Sequence, residues 1–306
     1  MTENTFDYII VGGGSAGCAA AARLSAEKDC TVCLIEAGPV DNSPLIHMPL
    51  GLIGLIGSPK VNWCFNTEPE AQLNGRRLFW PRGKTLGGSS SINAMVYIRG
   101  HAKDYDDWAV QNGSQWSYSS LLKVFKEHED NVRGGSSFHG KGGPLSVSDV
   151  LEPNPLADAF VEAGKQVGIP ENRDFNGAVQ EGVGFYQVTQ KSGRRWSSAR
   201  AFLGMAEGRP NLTVFTAARA TRVILEARRA VGIEVERAGQ RQVLRAKNEV
   251  ILCGGAVNSP HLLLLSGIGP REMLSKHGIP LQHELPGVGQ NLQDHLDMTV
   301  MVRDRS

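Results

Sequence analysis

The chain has 306 residues, with 32 Lys and Arg against 31 Asp and Glu, a net charge of +1. Charges this balanced and mixed give no sign of a polyanion-binding surface, and no nucleic-acid partner is expected. Apolar residues make up 41 %, enough to core one large domain or two smaller ones, and no run of 18 apolar residues offers a spanning helix.

Glycine supplies 36 residues, about 12 % against a usual ~7 %, which fits many tight turns and close approaches of backbone to ligand. The five cysteines, Cys18, Cys30, Cys33, Cys64 and Cys253, form an odd, scattered set, as expected for reduced thiols in a cytosolic protein. Cys30 and Cys33 are spaced C-x-x-C, but the spacing places them as a pair in one buried strand rather than in a redox or zinc site. The N-terminal Met-Thr-Glu-Asn-Thr has no basic region or cleavable apolar stretch, so secretion is not expected.

Tyr8 to Val11 is a short apolar run that predicts a buried parallel strand. Gly12, Gly14 and Gly17 follow in the spacing G-x-G-x-x-G. An alanine-rich stretch from Ala16 to about Ser25 predicts a helix, and Thr31 to Ile35 a second strand ending at Glu36. This is the pattern of a dinucleotide-binding βαβ unit. Gly12 permits the tight turn, Gly14 lets a pyrophosphate approach the backbone, and Gly17 lets helix and strand pack closely. The helix N-terminus, with Ser15 and Ala16, offers free N–H groups and the positive end of its dipole. Glu36 suits both hydroxyls of an adenosine ribose and would repel a 2′-phosphate. The fingerprint does not choose the dinucleotide, and an NAD-dependent dehydrogenase rests on it alone.

Residues 40 to about 82 carry five prolines, no clear period and the apolar run Met48 to Ile56. A loop of this length suggests a lid over a cofactor, and its apolar run also suits a bilayer surface. Gly87-Gly88-Ser89-Ser90-Ser91 predicts a second cradling loop, its glycines freeing backbone N–H groups and its hydroxyls adding donors and acceptors. Met95 to Ile98 looks strand-like. Surface helices are expected between Asp104 and Glu129, a turn around His139, and a helix from Pro155 to Val167 with Leu156, Ala159, Phe160 and Ala163 on one face. Gly184 to Val188 alternates like a strand, and Arg194 to Arg200 opens a helix that Ser197 can cap. Asn211–Phe215, Thr221–Glu226, Ala230–Glu236 and Val243–Ala246 suggest a small antiparallel meander. Glu249 to Cys253 predicts a further buried parallel strand, followed by a helix from Ser259 to Leu265. Met298, Val300 and Val302 alternate with Thr299, Met301 and Arg303, as a strand would begin.

Two longer segments carry a family resemblance. Gly83-Lys-Thr-Leu-Gly-Gly-Ser-Ser-Ser-Ile-Asn93-Ala-Met-Val-Tyr and Gly255-Ala-Val-Asn-Ser-Pro-His-Leu-Leu-Leu-Leu-Ser-Gly-Ile-Gly269, with Leu285-Pro-Gly-Val-Gly-Gln-Asn-Leu-Gln-Asp-His295 after them, resemble signatures of the glucose–methanol–choline (GMC) flavoprotein oxidoreductases. Within that family the text is most similar to choline dehydrogenase-like enzymes and to the flavin-dependent alcohol dehydrogenases of alkane degradation.

The resemblance implies an α/β fold: a Rossmann-like FAD-binding domain with a parallel sheet and small antiparallel meander, plus an incomplete α+β substrate domain. It places the FAD-binding domain at 1–150, with the lid at about 40–82, and again at 208–295. A substrate-domain segment falls at 151–207, and its next part starts at 296–306. It implies FAD as cofactor, with Gly12, Gly14, Ser15, Ala16, Gly17, Glu36 and Ala37 on the ADP half. Arg82, Thr85, Gly87, Gly88, Asn93, Ala94 and Val96 fall along the pyrophosphate and isoalloxazine, and Ala220 at the adenine. Ile92 stands where some members carry a flavin-linking histidine, so non-covalent FAD is expected.

The implied reaction is oxidation of a primary alcohol, choline or an aliphatic alcohol, by hydride transfer to flavin N5. The family's catalytic residues are expected beyond residue 306, so the sequence reads as an N-terminal part. The alternative is a non-catalytic flavin-binding fragment. His139, His261 and His295 are expected to be structural. A membrane quinone is the implied electron acceptor, with a cytoplasmic protein touching the inner membrane face through Met48 to Ile56.

Overall fold

In the computed structural model, which describes residues 4–295 and 297–300, the chain is built around one six-stranded sheet. Its strands are β1 (Thr5–Val11), β2 (Val32–Ile35), β3 (Leu212–Phe215), β4 (Ala218–Glu226), β5 (Arg229–Arg237) and β6 (Gln240–Leu252), in the order β4-β5-β6-β1-β2-β3. Strands β6, β1, β2 and β3 pair in parallel, while β4, β5 and β6 pair antiparallel. Register follows the apolar alternation. Ile9 lies opposite both Cys33 and Val250, and Val11 opposite Ile35 and Leu252.

Successive β1 side chains feed opposite faces of the sheet. Ile9 and Val11 join Cys33, Ile35, Ile233, Val235 and Leu244 in one core, while Ile10 joins Ala21, Val32 and Leu34 in another. Helix α1 (Ser15–Leu24) packs on the second face through small residues, with Ala21 fully buried. These short side chains let the helix axis come close to the strands, which aims the helix N-terminus at the end of β1.

The expected small meander is part of this sheet. Asn211–Phe215 contributes β3, which pairs in parallel with β2 instead of joining a hairpin. The segments Val243–Ala246 and Glu249–Cys253, expected as separate strands, are one 13-residue strand, β6. Its first half pairs antiparallel with β5 and its second half parallel with β1, so β6 joins the two patterns. The polar stretch Arg245–Asn248 does not break the strand, because Arg245 and Lys247 bridge to Glu226 and Asp7 on its exposed side.

The segment after β2 forms helices α2 (Pro44–His47) and α3 (Leu52–Leu55), then a short hairpin pairing Phe65–Asn66 with Phe79–Trp80. A small core of Ile46, Leu55, Val61 and Ile92 fastens it to the second glycine loop. Helices α4 (Ala102–Asn112), α5 (Tyr118–His128) and α6 (Pro155–Gln166) match expectation, and Asn154 caps α6 by accepting from the Leu156 N–H. Met95–Ile98 and Gly184–Val188 are not strands. Met95 has a φ of +63°, which breaks the extended run, and the two segments meet through one isolated bridge, Val96 to Val188, beside the Tyr97 N–H donating to Gln187 O.

Arg194 and Arg195 do not open a helix. They pair with Gln190–Lys191 across a turn at Ser192 and Gly193, both with positive φ. Helix α7 (Ser198–Ala201) starts after them, with Ser197 as its cap. Helix α8 (Gly255–Leu265) begins four residues earlier than expected. Cys30 precedes β2 and is half-buried, so only Cys33 lies in the strand, and all five cysteines are free. No strand forms over 297–300, where Met298 and Val300 are exposed; Met301, Val302 and Arg303 lie outside the described residues. Among the described residues no helix is long and apolar enough to cross a membrane.

Candidate cofactor site

The carboxyl ends of β1 and β2 and the N-terminus of α1 meet at one edge of the sheet, where parallel α/β folds hold their ligands. At the end of β1 the Gly12 N–H donates to Ile35 O at 2.8 Å. Gly12 has a φ of +104°, and a Cβ there would overlap the Cys253 carbonyl oxygen. A Cβ on Gly17 would overlap the Gly12 carbonyl oxygen, so the helix reaches the strand only because residue 17 is glycine.

Gly14 occupies the N-cap of α1 in an extended conformation and provides no side-chain cap. The first-turn N–H groups therefore lack both an intrahelical and a side-chain acceptor. Ser15 and Ala16 are exposed over them. That combination is a ready anion site.

The second glycine loop lies directly against the first. The Gly87 N–H donates to Gly13 O at 2.7 Å. Gly87 and Gly88 have φ of +84° and +54°, and a Cβ on Gly88 would stand 2.7 Å from Gly14 Cα. The two loops are thus in backbone contact. The Cys18 thiol, pushed up to about 12 by burial, stays protonated and donates to Gly13 O from the other side.

The loop serines act differently from expectation. Ser90 and Ser91 hydroxyls donate to Gly87 O and Leu86 O, each at 2.6 Å, and Ser89 Oγ accepts from the Gly83 N–H. These hydroxyls brace the loop, leaving its backbone as the cradling surface.

Glu36 is buried, and both of its carboxylate oxygens are held. Oε2 accepts from the Gly13 N–H and Oε1 from the Gly38 N–H, each at 2.8 Å. Burial pushes this carboxyl up to about 7, although the backbone donors oppose the shift. Each oxygen keeps a lone pair for a further donor, as ribose hydroxyls would supply. Ala37 is half-buried beside it. The start of β4 is tied to the same corner, with Ala217 N–H donating to Gly38 O and Ala218 N–H to Glu36 O. Ala220 follows on that strand and packs against the sheet core.

The remaining expected positions spread outward. The buried Thr85 hydroxyl donates to Pro39 O, so it fastens the loop to the chain after β2. Arg82 lies over the Trp80 ring and donates to Pro81 O. Asn93, Ala94 and Val96 are exposed beyond the glycine loop. Among the histidines, His261 and His295 are exposed. His139 is buried in a network, with Nδ1 2.9 Å from Glu129 Oε1 and Nε2 3.0 Å from Asp174.

The sequence alone does not mark Arg195 as a site residue. It is 1 % exposed, and its guanidinium donates to Ile46 O, Ser90 O and Asn93 Oδ1. The one available signal was a basic stretch without any Asp or Glu from residue 182 to 206.

A model of the GMC oxidoreductase family matches residues 6–297. The chain belongs to the GMC oxidoreductase family. It is 57 % identical over 299 residues to an alcohol dehydrogenase [acceptor] of Pseudomonas putida, covering 97 % of this chain and 54 % of that protein. It is 46 % identical to the mitochondrial choline dehydrogenase of Homo sapiens, covering 98 % of this chain and 52 % of the relative. Among solved structures it superposes on pyridoxine 4-oxidase from Mesorbium loti with a TM-score of 0.91 at 41 % identity, covering 95 % of this chain and 57 % of the other. An FAD-dependent oxidoreductase from Chaetomium thermophilum gives 0.87 at 31 % identity, covering 94 % and 52 %. The chain spans about half the length of the relatives it matches.

Proposed function

We propose that this chain forms the FAD-binding part of an alcohol dehydrogenase that oxidises a primary alcohol to the aldehyde. The observation that carries the reading is the double glycine cradle. Two loops in backbone contact present an uncapped helix N-terminus and a buried, doubly held carboxylate at one corner of a parallel sheet. A pyrophosphate fits the N–H groups of Ser15 to Gly17, and a ribose fits Glu36. At Gly12, Gly17 and Gly88 a Cβ would meet neighbouring backbone, so these glycines let the two loops and the helix converge at that corner.

FAD is the cofactor, and when bound it supplies N5 as the hydride acceptor. Gly12 to Gly17, Glu36 and Ala37 hold its ADP half, with Ala220 toward the adenine. Gly87, Gly88, Asn93, Ala94 and Val96 line its route toward the flavin, while Thr85 braces the loop and Arg82 flanks it. Binding is non-covalent. Ile92, beside Asn93, is buried against Ile46, Leu55 and Val61 and offers no nucleophile. Residues 1–150 and 208–295 form the cofactor domain, and 151–207 belong to the substrate domain.

Choline and aliphatic alcohols are the candidate substrates, on the strength of the dehydrogenases this chain is similar to. A membrane quinone is the proposed acceptor. Leu50 and Ile53, 77 % and 79 % exposed on the lid, are the proposed contact of a cytoplasmic protein with the membrane surface. The test is flavin absorbance of the purified protein, followed by anaerobic addition of a primary alcohol. Bound flavin that acid precipitation releases, and that the alcohol bleaches, is the expected result for the alcohol dehydrogenase. Released flavin that no alcohol bleaches identifies a binding module only, and absence of flavin overturns both readings.

A further inference from the structure

Arg195 is the one fully buried arginine whose charge the described residues leave unneutralised. No carboxylate among them pairs with it, and its Nη2 has no hydrogen-bond partner. By contrast Arg99, also buried, pairs with Glu129 at 3.0 Å. A buried cation without a counter-ion is costly and calls for a reason.

The reason lies in what Arg195 touches. Nε donates to Ile46 O on helix α2 at 2.8 Å. Nη1 donates to Ser90 O at 3.2 Å and to Asn93 Oδ1 at 2.8 Å. Asn93 Oδ1 also accepts from the Met95 N–H at 3.0 Å, where the chain turns through a positive φ. Both partners of this amide end are donors, so chemistry alone fixes it as the oxygen. The Asn93 NH2 group is then left without a protein acceptor among the described residues, on a side chain that is exposed beyond the glycine loop.

We infer that Arg195 is a positioning residue that locks the Asn93 amide with its oxygen turned inward and its NH2 presented as a donor to an acceptor atom of the bound cofactor. The same guanidinium ties helix α2 to the glycine loop, so the segment after β2 and the Asn93 amide are held by one side chain. A lysine would keep the charge, but a single ammonium on a flexible stem does not reproduce the planar fork that spans three acceptors. This inference rests on the FAD reading above.

The experiment measures FAD dissociation constants by flavin fluorescence on deflavinated protein, together with the flavin absorption spectrum and the melting temperature. Asn93→Asp keeps the acceptor for Arg195 and for Met95 N–H but removes the NH2 donor. It is expected to melt no lower than the parent, to bind FAD about tenfold more weakly, and to shift the flavin absorption band. Arg195→Lys is expected to weaken FAD to the same degree as Asn93→Ala, and the double variant no further than either single one. Multiplicative effects in the double variant would overturn the inference. So would an Asn93→Asp protein with the parent's FAD affinity and spectrum, a result that stands even if the Arg195 variants do not fold. A lower melting temperature with unchanged flavin affinity and spectrum would mark Arg195 as a structural brace only. A parent protein that binds no FAD would overturn the cofactor reading and this inference together, whereas a flavin-binding parent with unaltered variants overturns this inference alone.

Discussion

The sheet region and the region between residues 95 and 190 are held together by different means. Around the sheet, apolar side chains are removed from water completely: Ile9, Ile10, Val32 and Leu34 are all 0 % exposed. In the second region the apolar stripe of α6 stays in solvent, with Leu156 and Phe160 56 % and 65 % exposed. Beside a few buried apolar residues such as Val147, a large share of what is buried there is polar. Glu129 and Asn131 are fully buried, and His139, Arg99 and Gln187 nearly so, in one hydrogen-bonded network. Hydrophobic periodicity therefore reports that a helix has an apolar face without reporting what covers it. A buried ion network leaves no periodic trace at all.

The contrast is sharpest for backbone clashes at the cradle. Gly17→Ala places a Cβ on the Gly12 carbonyl oxygen, so helix and strand cannot both keep their places. A loss of about 3 kcal/mol or more is expected, read by denaturant unfolding. Ile10→Ala opens a cavity under the same sheet and is expected to cost ~2–5 kcal/mol. Equal tolerance of both changes would show that this sheet is not the principal core.

In the second region the expected signature is pH rather than volume. The hydrogen bond with Glu129 holds His139 above the usual imidazole range against its burial, with Asp174 adding to the effect. Burial pushes Glu129 up, but donors from His139, the Gly140 N–H and Asn131 outweigh it and hold the carboxyl below its ordinary range. A raised histidine contributes stability that is fully present below its unfolded value, near 6.5, and is lost as pH rises through the folded value. The His139 contribution to unfolding free energy should therefore fall from about pH 6.5 upward, and His139→Gln should flatten that slope. A profile identical in the two proteins would remove His139 from the account. The smallest effect belongs to the exposed stripe, where Phe160→Ser is expected to change stability by no more than ~0.5 kcal/mol. A loss of several kcal/mol would show that this face is covered in solution.

Legibility in the sequence follows the same division. The β1–α1–β2 unit was readable because three levels agreed: a four-residue apolar run, glycines at fixed spacing and a glutamate at the second strand end. Glu36 does sit at the corner that this pattern implies, with Gly13 and Gly38 as donors. The sequence groups Leu212–Phe215 with the antiparallel meander, whereas β3 pairs in parallel with β2, because four residues carry no information about the sense of pairing. Strand β6 reads as two segments in the sequence, since the largely exposed polar stretch Arg245–Asn248 resembles a turn. The loop serines look ligand-facing in the sequence, whereas two of them donate to their own loop. Arg195 escaped because a buried arginine without an acidic partner is identified only by what surrounds it in space.

The most direct test of the cradle is a single variant with two opposed readouts. Ser15 is the exposed first residue of α1, and Ser15→Asp adds a negative charge at the positive end of the helix. The deflavinated protein is expected to gain about 0.3–1 kcal/mol of stability from the dipole, while FAD, whose pyrophosphate would face that charge, binds at least tenfold more weakly. Unchanged FAD affinity in a stabilised Ser15→Asp protein would contradict the account.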